Sequence, residues 1–316
     1  MSFRPLSLLM PGGFWGRHQV LLFHRVLDSP DTMLPDEWDV ASFDELVKRL
    51  GKVFNVLPLS DAIDLAQRRK LPSASISITF DDGYADNFTY ALPILEKHGV
   101  SATFFIASGY LNGGRMWNDT LIETARRLPS GDFEYPLGEC GTVEIRGDDD
   151  RREIAYRAIR DCKHLPASER ARQVEIFSCL QSDPLPDDLM MNTQQLLEMA
   201  DSEFAEIGAH TRSHPILANC DDDIAREEIT HSVEDLAQVL GFKPRLFAYP
   251  NGKRGRDYLP SQARIVQEVG LKAAVATDWG VLKSDTDLYQ IPRFTPWSRN
   301  TNRFVFDLFR ARFGLL

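Results

Sequence analysis

The segment Ile76-Ser77-Ile78-Thr79-Phe80-Asp81-Asp82-Gly83 decides both the fold and the site of this chain. Its apolar residues predict a buried strand, and two adjacent carboxylates follow where the apolar run stops. Neighbouring residues of an extended chain point to opposite sides. One Asp can therefore bind a metal ion while the other faces a substrate, provided that the strand end twists both toward one opening. An ordinary turn is the alternative, because Asp and Gly favour turns.

A second motif, His210-Thr211-Arg212-Ser213-His214, supplies two imidazoles separated by three residues. Two His and one carboxylate are a common zinc ligand set, and a hydrolytic zinc site keeps one coordination position open for water. The remaining carboxylate is then free to act as general base on that water. Taken alone, the motif also fits two packed or solvated histidines, but each motif supplies what the other lacks.

With these two motifs the chain resembles the polysaccharide deacetylases of the carbohydrate esterase class, which include chitin, peptidoglycan and biofilm-polymer deacetylases. The resemblance implies that Asp81 is the catalytic base and that Asp82, His210 and His214 bind one divalent metal ion. Zinc is the expected ion, although cobalt, nickel or manganese would accept the same ligands. The expected partner is an acetylated glycan or polysaccharide.

A third segment, Phe247-Ala248-Tyr249-Pro250-Asn251-Gly252, resembles the family motif that lines the groove and donates a backbone N–H to the oxyanion. The three motifs occur in the family's order, and the resemblance runs over nearly the whole chain, from about Val20 to Phe294. We take Tyr249 and Asn251 as candidate substrate contacts, together with Tyr84 and Trp117. For Trp117, stacking on a sugar face competes with simple packing, which is common for Trp.

Two positions depart from the family pattern. Ala248 stands where the family has an Arg that braces the base, and no His follows His231, although the family's usual acid is a C-terminal His. The placement of His24 after an apolar strand resembles a circularly permuted branch, typified by biofilm poly-N-acetylglucosamine deacetylases. We therefore assign the general acid to His24. Arg293 is the candidate for the missing Arg, with an ordinary surface Arg as the alternative.

Short apolar runs alternate with amphipathic helical stretches, which predicts an α/β fold with a parallel sheet and crossover helices. A barrel closes such a sheet, with its active site at the carboxyl ends of the strands. The family implies a distorted (β/α) barrel of about seven parallel strands. Strands are expected at Val20–Val26, Ile76–Phe80, Thr103–Ile106, Ala205–Gly208, Leu246–Tyr249, Ala273–Thr277 and Tyr289–Phe294.

The stretch from about 112 to 199 departs from this alternation, because it combines helical segments with a polar stretch. We interpret it as a mostly helical insertion that forms a lid or wall of the groove. Residues 1–316 are then expected to form a single barrel domain, since barrels of this size are often one domain.

Charge and hydropathy restrict the partners and the location. A net charge of −10 argues against nucleic-acid binding, which needs a basic patch. No apolar run approaches the ~20 residues of a membrane helix, and 7–10 is too short an apolar core for a signal peptide. A cytoplasmic location is therefore expected. Arg303–Leu316 has the pattern of a basic amphipathic helix, for which docking on the barrel is favoured over contact with a membrane surface.

The expected activity is metal-dependent removal of acetyl groups from N-acetylated amino sugars in a polysaccharide or glycan precursor. Two alternatives stay open. The displaced Arg and His would also fit a catalytically impaired sugar-binding barrel, and the same metal chemistry would serve an O-acetyl esterase acting on glycans.

Overall fold

The computed structural model describes residues 10–138, 141–295 and 301–312. Its strands are β1 (His18–Phe23), β2 (Val26–Leu27), β3 (Trp38–Asp39), β4 (Asn55–Val56), β5 (Ser75–Phe80), β6 (Ala102–Ile106), β7 (Gly131–Glu134), β8 (Thr142–Ile145), β9 (Ala205–Ala209), β10 (Leu246–Ala248) and β11 (Ala273–Val275). Its α-helices are α1 (Val40–Val53), α2 (Leu59–Gln67), α3 (Leu92–His98), α4 (Trp117–Arg126), α5 (Asp148–Lys163), α6 (Ala167–Ser178), α7 (Thr193–Ala200), α8 (Asp222–Leu240), α9 (Pro260–Glu268) and α10 (Thr301–Arg312).

A parallel sheet of seven strands carries the site. The strands lie in the order β1, β5, β6, β9, β10 and β11, and β4 pairs with the start of β5. Each of these pairings is parallel, so all the carboxyl ends point to one edge of the sheet. The predicted α/β fold is therefore confirmed, although β4 lies in a stretch where no strand was predicted.

The segment Ile291–Phe294 closes the sheet into a barrel. Ile291 forms a parallel bridge with Val275 of β11, and Phe294 forms one with Leu21 of β1. Two backbone hydrogen bonds, of 2.7 and 3.0 Å, join Phe294 to β1. Pro292 lies between the two bridges and has no N–H to donate, which favours isolated bridges over a continuous ladder. The predicted strand at Tyr289–Phe294 thus exists as a bridging segment.

An aromatic cluster fixes the end of β5, where the two carboxylates follow. The ring of Phe80 stacks on Phe104 of β6, with centroids 5.1 Å apart and planes at 13°. On its other side, Phe80 lies 5.5 Å from Phe23 of β1 and 5.7 Å from Phe43 of α1. Burying large aromatic rings contributes strongly to stability, and it here holds the strand that delivers Asp81 in one position.

The insertion between β6 and β9 combines helices α4, α5 and α6 with an antiparallel hairpin of β7 and β8. Its buried residues form a hydrophobic cluster of their own, in which Leu121, Ile154 and Phe177 are fully or almost fully buried. The helices were predicted, whereas the hairpin lies in the polar stretch. The assignment of residues 1–316 to one domain stays a prediction.

Helix α10 packs against the barrel. Phe304 is buried, with its ring 6.1 Å from Trp38 and 6.4 Å from Phe294. Phe306 on the same helix is exposed. The predicted amphipathic stretch continues through 313–316, which lie outside the described residues. Within the described residues, no helix is long and apolar enough to cross a membrane.

A buried histidine at the amino end of β1 predicts sensitivity to acid. Burial and the nearby charge of Arg312 lower the pKa of His18 to about 3. The unfolded chain binds a proton near pH 6.5 and the folded chain does not, so stability is complete above that pH and falls as the pH drops toward 3. We expect His18→Gln to remove a slope of at most about 1.4 kcal/mol per pH unit from the free energy of unfolding.

Denaturant unfolding of both proteins at a series of pH values measures this slope. Ser77→Ala is the matched control, because the Ser77 hydroxyl contacts Nε2 of His18 at 2.9 Å but does not titrate. The control should lower stability equally at every pH. If wild type and His18→Gln lost stability in parallel between pH 6.5 and 3, His18 would not be the group responsible.

Candidate metal centre and active-site cleft

A cleft of about 690 Å³ opens at the carboxyl ends of the strands. Its walls come from the loops after the sheet strands and from helices α4 and α5 of the insertion. The structure thus places the insertion beside the groove. Eight of the ten predicted site residues line this cleft, namely His24, Asp81, Asp82, Tyr84, Trp117, His210, His214 and Asn251.

The chain turns sharply after β5, and this turn brings both carboxylates to the cleft. Asp82 and Gly83 have φ angles of 79° and 89°, in the left-handed region that Gly adopts freely and Asp tolerates. The backbone N–H of Asp81 donates to the carbonyl of Phe23 at 3.0 Å, which continues the pairing with β1. The chain after β5 therefore twists so that both Asp81 and Asp82 reach the cleft.

The loop from His210 to His214 is held in an unusual conformation. Thr211 and His214 both have positive φ angles, of 61° and 55°. The carboxylate of Glu228, on α8, accepts three hydrogen bonds from the loop. The N–H of Arg212 donates at 2.9 Å, the N–H of Ser213 at 2.8 Å and the Ser213 hydroxyl at 2.6 Å. Glu228 thus fixes the spacing of the two imidazoles. No sequence motif marked this residue.

Asp82, His210 and His214 converge on one point. Each imidazole Nε2 lies 3.3 Å from Oδ1 of Asp82, and the three ligand atoms all lie within 4.8 Å of one another. Nδ1 of His210 donates to the carbonyl of Ala248 at 2.7 Å, which leaves Nε2 free as a ligand. Oδ1 of Asp82 is buried without a hydrogen-bond donor. This donor set fits a divalent cation such as zinc.

The charges around this point also fit a cation. Burial raises the pKa of Asp82, but the charge of His214 and the 3.3 Å contacts of Oδ1 with both imidazoles outweigh burial and hold the pKa well below its usual range. Burial lowers the pKa of His210, yet the negative charges of Asp81 and Asp82 outweigh it and raise the pKa. Two buried carboxylates therefore create a negative potential that a divalent cation would neutralise.

Arg293 pairs with Asp81 in the interior. Its two terminal nitrogens donate to the two carboxylate oxygens of Asp81, both at 2.7 Å, and its Nε donates to the carbonyl of Ala276 at 2.9 Å. The side chain of Arg293 is completely buried, so the alternative of a surface Arg does not apply. Burial raises the pKa of Asp81, but the charges of Arg293 and His210 outweigh it and hold the pKa below its usual value.

His24 and Asn251 line the cleft from two different loops. The carbonyl of His24 accepts a hydrogen bond of 2.9 Å from the side chain of Asn87, which fixes the backbone after β1. Asn251 has a φ of 58°, and its carbonyl accepts a hydrogen bond of 2.7 Å from the hydroxyl of Thr277. Among the described residues, no acceptor pairs with the N–H of Asn251.

The predicted aromatic contacts divide into two groups. Trp117 and Tyr84 line the cleft, where the Tyr84 hydroxyl lies 3.1 and 3.2 Å from the two carboxylate oxygens of Asp119. Tyr249 does not reach the cleft. Its ring is fully buried and stacks on Tyr258 at 3.8 Å, because it shares with Phe247 the hydrophobic cluster that includes Ala263 and Val266 of α9.

Several charged residues at the cleft belong to none of the sequence motifs. Asp119 lies in the first turn of α4, and burial raises its pKa to about 7. Arg25 pairs with Asp86 at 2.7 Å and lies over the ring of Tyr84. Lys163 reaches the cleft from the end of α5. The position of each of these residues depends on how the insertion or a loop folds over the barrel. The spacing of residues in the sequence does not reveal this.

The polysaccharide deacetylase family model matches residues 68–131 and 171–274, together more than half of the chain. The chain belongs to the polysaccharide deacetylase family. Between the two matched segments lies much of the insertion, including the hairpin and α5. The family assignment made from the motifs is thus confirmed, whereas the circularly permuted branch stays a prediction.

Individual relatives agree with this family. The chain is 30% identical over 89 residues to the Bacillus subtilis (strain 168) protein named "Putative polysaccharide deacetylase YxkH", a match that spans 28% of this chain and 30% of the relative. This chain therefore matches less than a third of that relative's length.

Two solved structures show the same fold over nearly their whole length. The Streptococcus pyogenes deacetylase PplD, in complex with acetate, superposes with a TM-score of 0.61 at 16% identity, over 92% of this chain and 97% of that chain. IcaB from Ammonifex degensii superposes with a TM-score of 0.59 at 19% identity, over 93% of this chain and 98% of that chain.

Proposed function

We propose that this chain is a metal-dependent hydrolase that removes the acetyl group from an N-acetylated amino sugar in a polysaccharide or glycan precursor. The observation that carries the proposal is the convergence of Asp82, His210 and His214 in one cleft, beside Asp81, which pairs with the buried Arg293. Family membership supports the general reaction, and the groove is large enough for sugar units.

Asp82, His210 and His214 would hold the metal ion. When bound, a divalent ion at this position lowers the pKa of water and polarises a carbonyl oxygen. Zinc matches two imidazoles and one carboxylate best, and cobalt, nickel or manganese accept the same donors. The protein's own contribution is to present these atoms without competing hydrogen bonds, as the orphan Oδ1 of Asp82 shows.

Asp81 is suited to take a proton from the water that attacks the acetamide carbonyl. Arg293 holds both of its oxygens, which fixes the carboxylate plane and keeps it ionised. In the family's third motif an Arg braces the base, but Ala248 occupies that position in this chain. Here the Arg comes instead from the segment that closes the barrel, as Arg293. In the part of the chain that the structure describes, the N–H of Asn251 has no acceptor, so it is available to the developing oxyanion.

His24 is our proposed general acid, which would protonate the leaving amine. We expect His24→Ala to lower kcat by about 10²-fold or more, the usual contribution of general acid catalysis, with a much smaller change in KM. Steady-state kinetics of wild type and variant test this, and turnover that stays at the wild-type level in His24→Ala would contradict the assignment.

Acetate release is the direct test of the reaction. The purified protein is depleted of metal with a chelator, reloaded with zinc, cobalt, nickel or manganese, and supplied with N-acetylated and O-acetylated oligosaccharides. We expect metal-dependent acetate release from the N-acetylated substrates. Release from O-acetylated substrates alone would identify an O-acetyl esterase. Metal binding without any acetate release would identify a catalytically impaired sugar-binding barrel.

A further inference from the structure

One part of the cleft is cationic although the protein is acidic. Lys163, Lys253 and Arg256 all line the cleft, whereas the net charge of the whole chain is −10. Lys253 and Arg256 follow Asn251 closely in the chain. They therefore belong to the same wall as the backbone N–H that we assign to the oxyanion.

A tight turn brings Lys253 and Arg256 together. The N–H groups of Arg256 and Asp257 both donate to the carbonyl of Lys253, at 3.2 and 2.8 Å. The side chain of Asp257 accepts in return from the N–H of Lys253 at 3.0 Å. The turn is thus rigid, and it presents two cationic side chains at the rim of the cleft.

Lys163 reaches the same turn from the insertion. It is the C-terminal residue of α5, and the carbonyl of the next residue, His164, accepts a hydrogen bond of 3.5 Å from Asn219. Ala218, beside Asn219, donates to the carbonyl of Asp257 at 3.0 Å. These contacts hold the end of α5 against the turn, so that all three cations face one end of the cleft.

The three cations differ in how far their charge is already balanced. Arg256 donates two hydrogen bonds of 3.0 Å to Asp257, and the ammonium of Lys253 lies 3.8 Å from Asp278. The Lys163 side chain is half-buried, and its ammonium makes no ion pair or hydrogen bond with a described residue. Burial, with a contribution from Arg256, lowers its pKa, although Asp257 opposes this. An unpaired ammonium beside a guanidinium is unfavourable without an anion.

We propose that this end of the cleft binds a negatively charged group, a carboxylate or a phosphate, carried by the same glycan as the acetylated sugar. This inference rests on the proposed deacetylase function and narrows its substrates to acidic N-acetylated glycans. The anion contacts Lys163 and the turn at 253–256, while the acetamide group lies at Asp82, His210 and His214. On the loop between β2 and β3, Asp36 and Glu37 also line the cleft and disfavour an anion there, which sets the direction of the bound glycan chain.

Kinetics with three substrates test the proposal. They are a neutral N-acetylglucosamine tetramer, an oligosaccharide that alternates N-acetylglucosamine with glucuronic acid, and N-acetylglucosamine 1-phosphate. We expect kcat/KM for an acidic substrate to exceed that of the neutral one by about tenfold or more, the usual effect of one charge-assisted hydrogen bond. Preference for the uronate or for the phosphate identifies the source of the anion.

Lys163→Met keeps the apolar stem and removes only the charge. It should raise KM for the preferred acidic substrate by about tenfold, leave kcat nearly unchanged, and affect the neutral tetramer much less. Lys97→Met is the control, since Lys97 is an exposed lysine paired with Asp44 at 2.8 Å on the helical surface. Equal effects of Lys163→Met on neutral and acidic substrates would overturn the proposal.

A binding measurement separates this proposal from the proposed function. Inorganic phosphate is titrated calorimetrically into wild type and Lys163→Met. Phosphate binding that Lys163→Met weakens, without acetate release from any substrate, would support the anion site and contradict the deacetylase function. Acetate release that does not depend on substrate charge, without phosphate binding, would support the function and contradict the anion site.

Discussion

Asp81→Asn should lower kcat by about 10²–10⁴-fold, the range for general acid–base catalysis, while the protein still binds one equivalent of metal. An amide cannot accept the proton of the attacking water, but it leaves Asp82, His210 and His214 unchanged. Substrate affinity should change little. Metal content, measured by atomic emission on the same preparation as the kinetics, separates loss of the base from loss of the ion.

This substitution also breaks a buried ion pair, and its effect on stability needs a control. Removing one partner of a buried pair costs roughly 3–5 kcal/mol, because the other charge stays buried and unpaired. Asp31→Asn is the control for a two-point contact with an Arg outside the proposed metal centre, since Asp31 contacts Arg126 at 2.9 and 2.7 Å. This pair is partly exposed, so its loss should cost less stability than the loss of the buried pair. That variant should lose stability but not turnover. Near-normal turnover in Asp81→Asn would mean that the roles of the two Asp residues are wrongly assigned.

His214→Ala should abolish both metal binding and activity and leave the fold intact. In the proposed site three ligands would hold the ion, and the remaining pair of Asp82 and His210 would have to replace an imidazole with solvent. The His214 side chain is partly exposed, so its truncation creates little buried cavity. Equilibrium dialysis against zinc measures the loss, and circular dichroism checks the fold.

His98→Ala provides the comparison for this change. His98 also contacts a carboxylate, Asp44 at 2.9 Å, and is about as exposed as His214, but it lies on α3 outside the cleft. It should keep full metal content and activity. Full metal occupancy in both His210→Ala and His214→Ala would exclude the proposed ligand set.

The sequence was sufficient for the parallel sheet and for the residues that now form the metal-site candidate. Asp82 and His210 follow predicted strands, and parallel strands bring their carboxyl ends to one edge. The conformation that makes them converge could not be predicted from the sequence, because it depends on backbone angles such as the positive φ of Asp82 and of His214. Glu228, which sets the His loop, likewise lies on an ordinary helical face of α8.

Tyr249 and Arg293 show why motif position does not determine side-chain direction. Tyr249 lies two residues before Asn251, yet its side chain belongs to the core and stacks on Tyr258. Arg293 is separated from Asp81 by 212 positions, and only the closure of the barrel brings them together. Its selection from sequence relied on the missing family Arg. The contact itself depends on which segment completes the sheet.

The closing segment has a consequence for synthesis of the protein. The carboxylate at position 81 and the proposed metal ligands up to position 214 emerge from the ribosome well before Arg293. Until 291–294 dock between β11 and β1, the site lacks the guanidinium that holds both oxygens of Asp81. A nascent chain could therefore collapse around most of its strands while the proposed base still lacks its partner. Under the proposed mechanism, completing the barrel and orienting the base would be the same event.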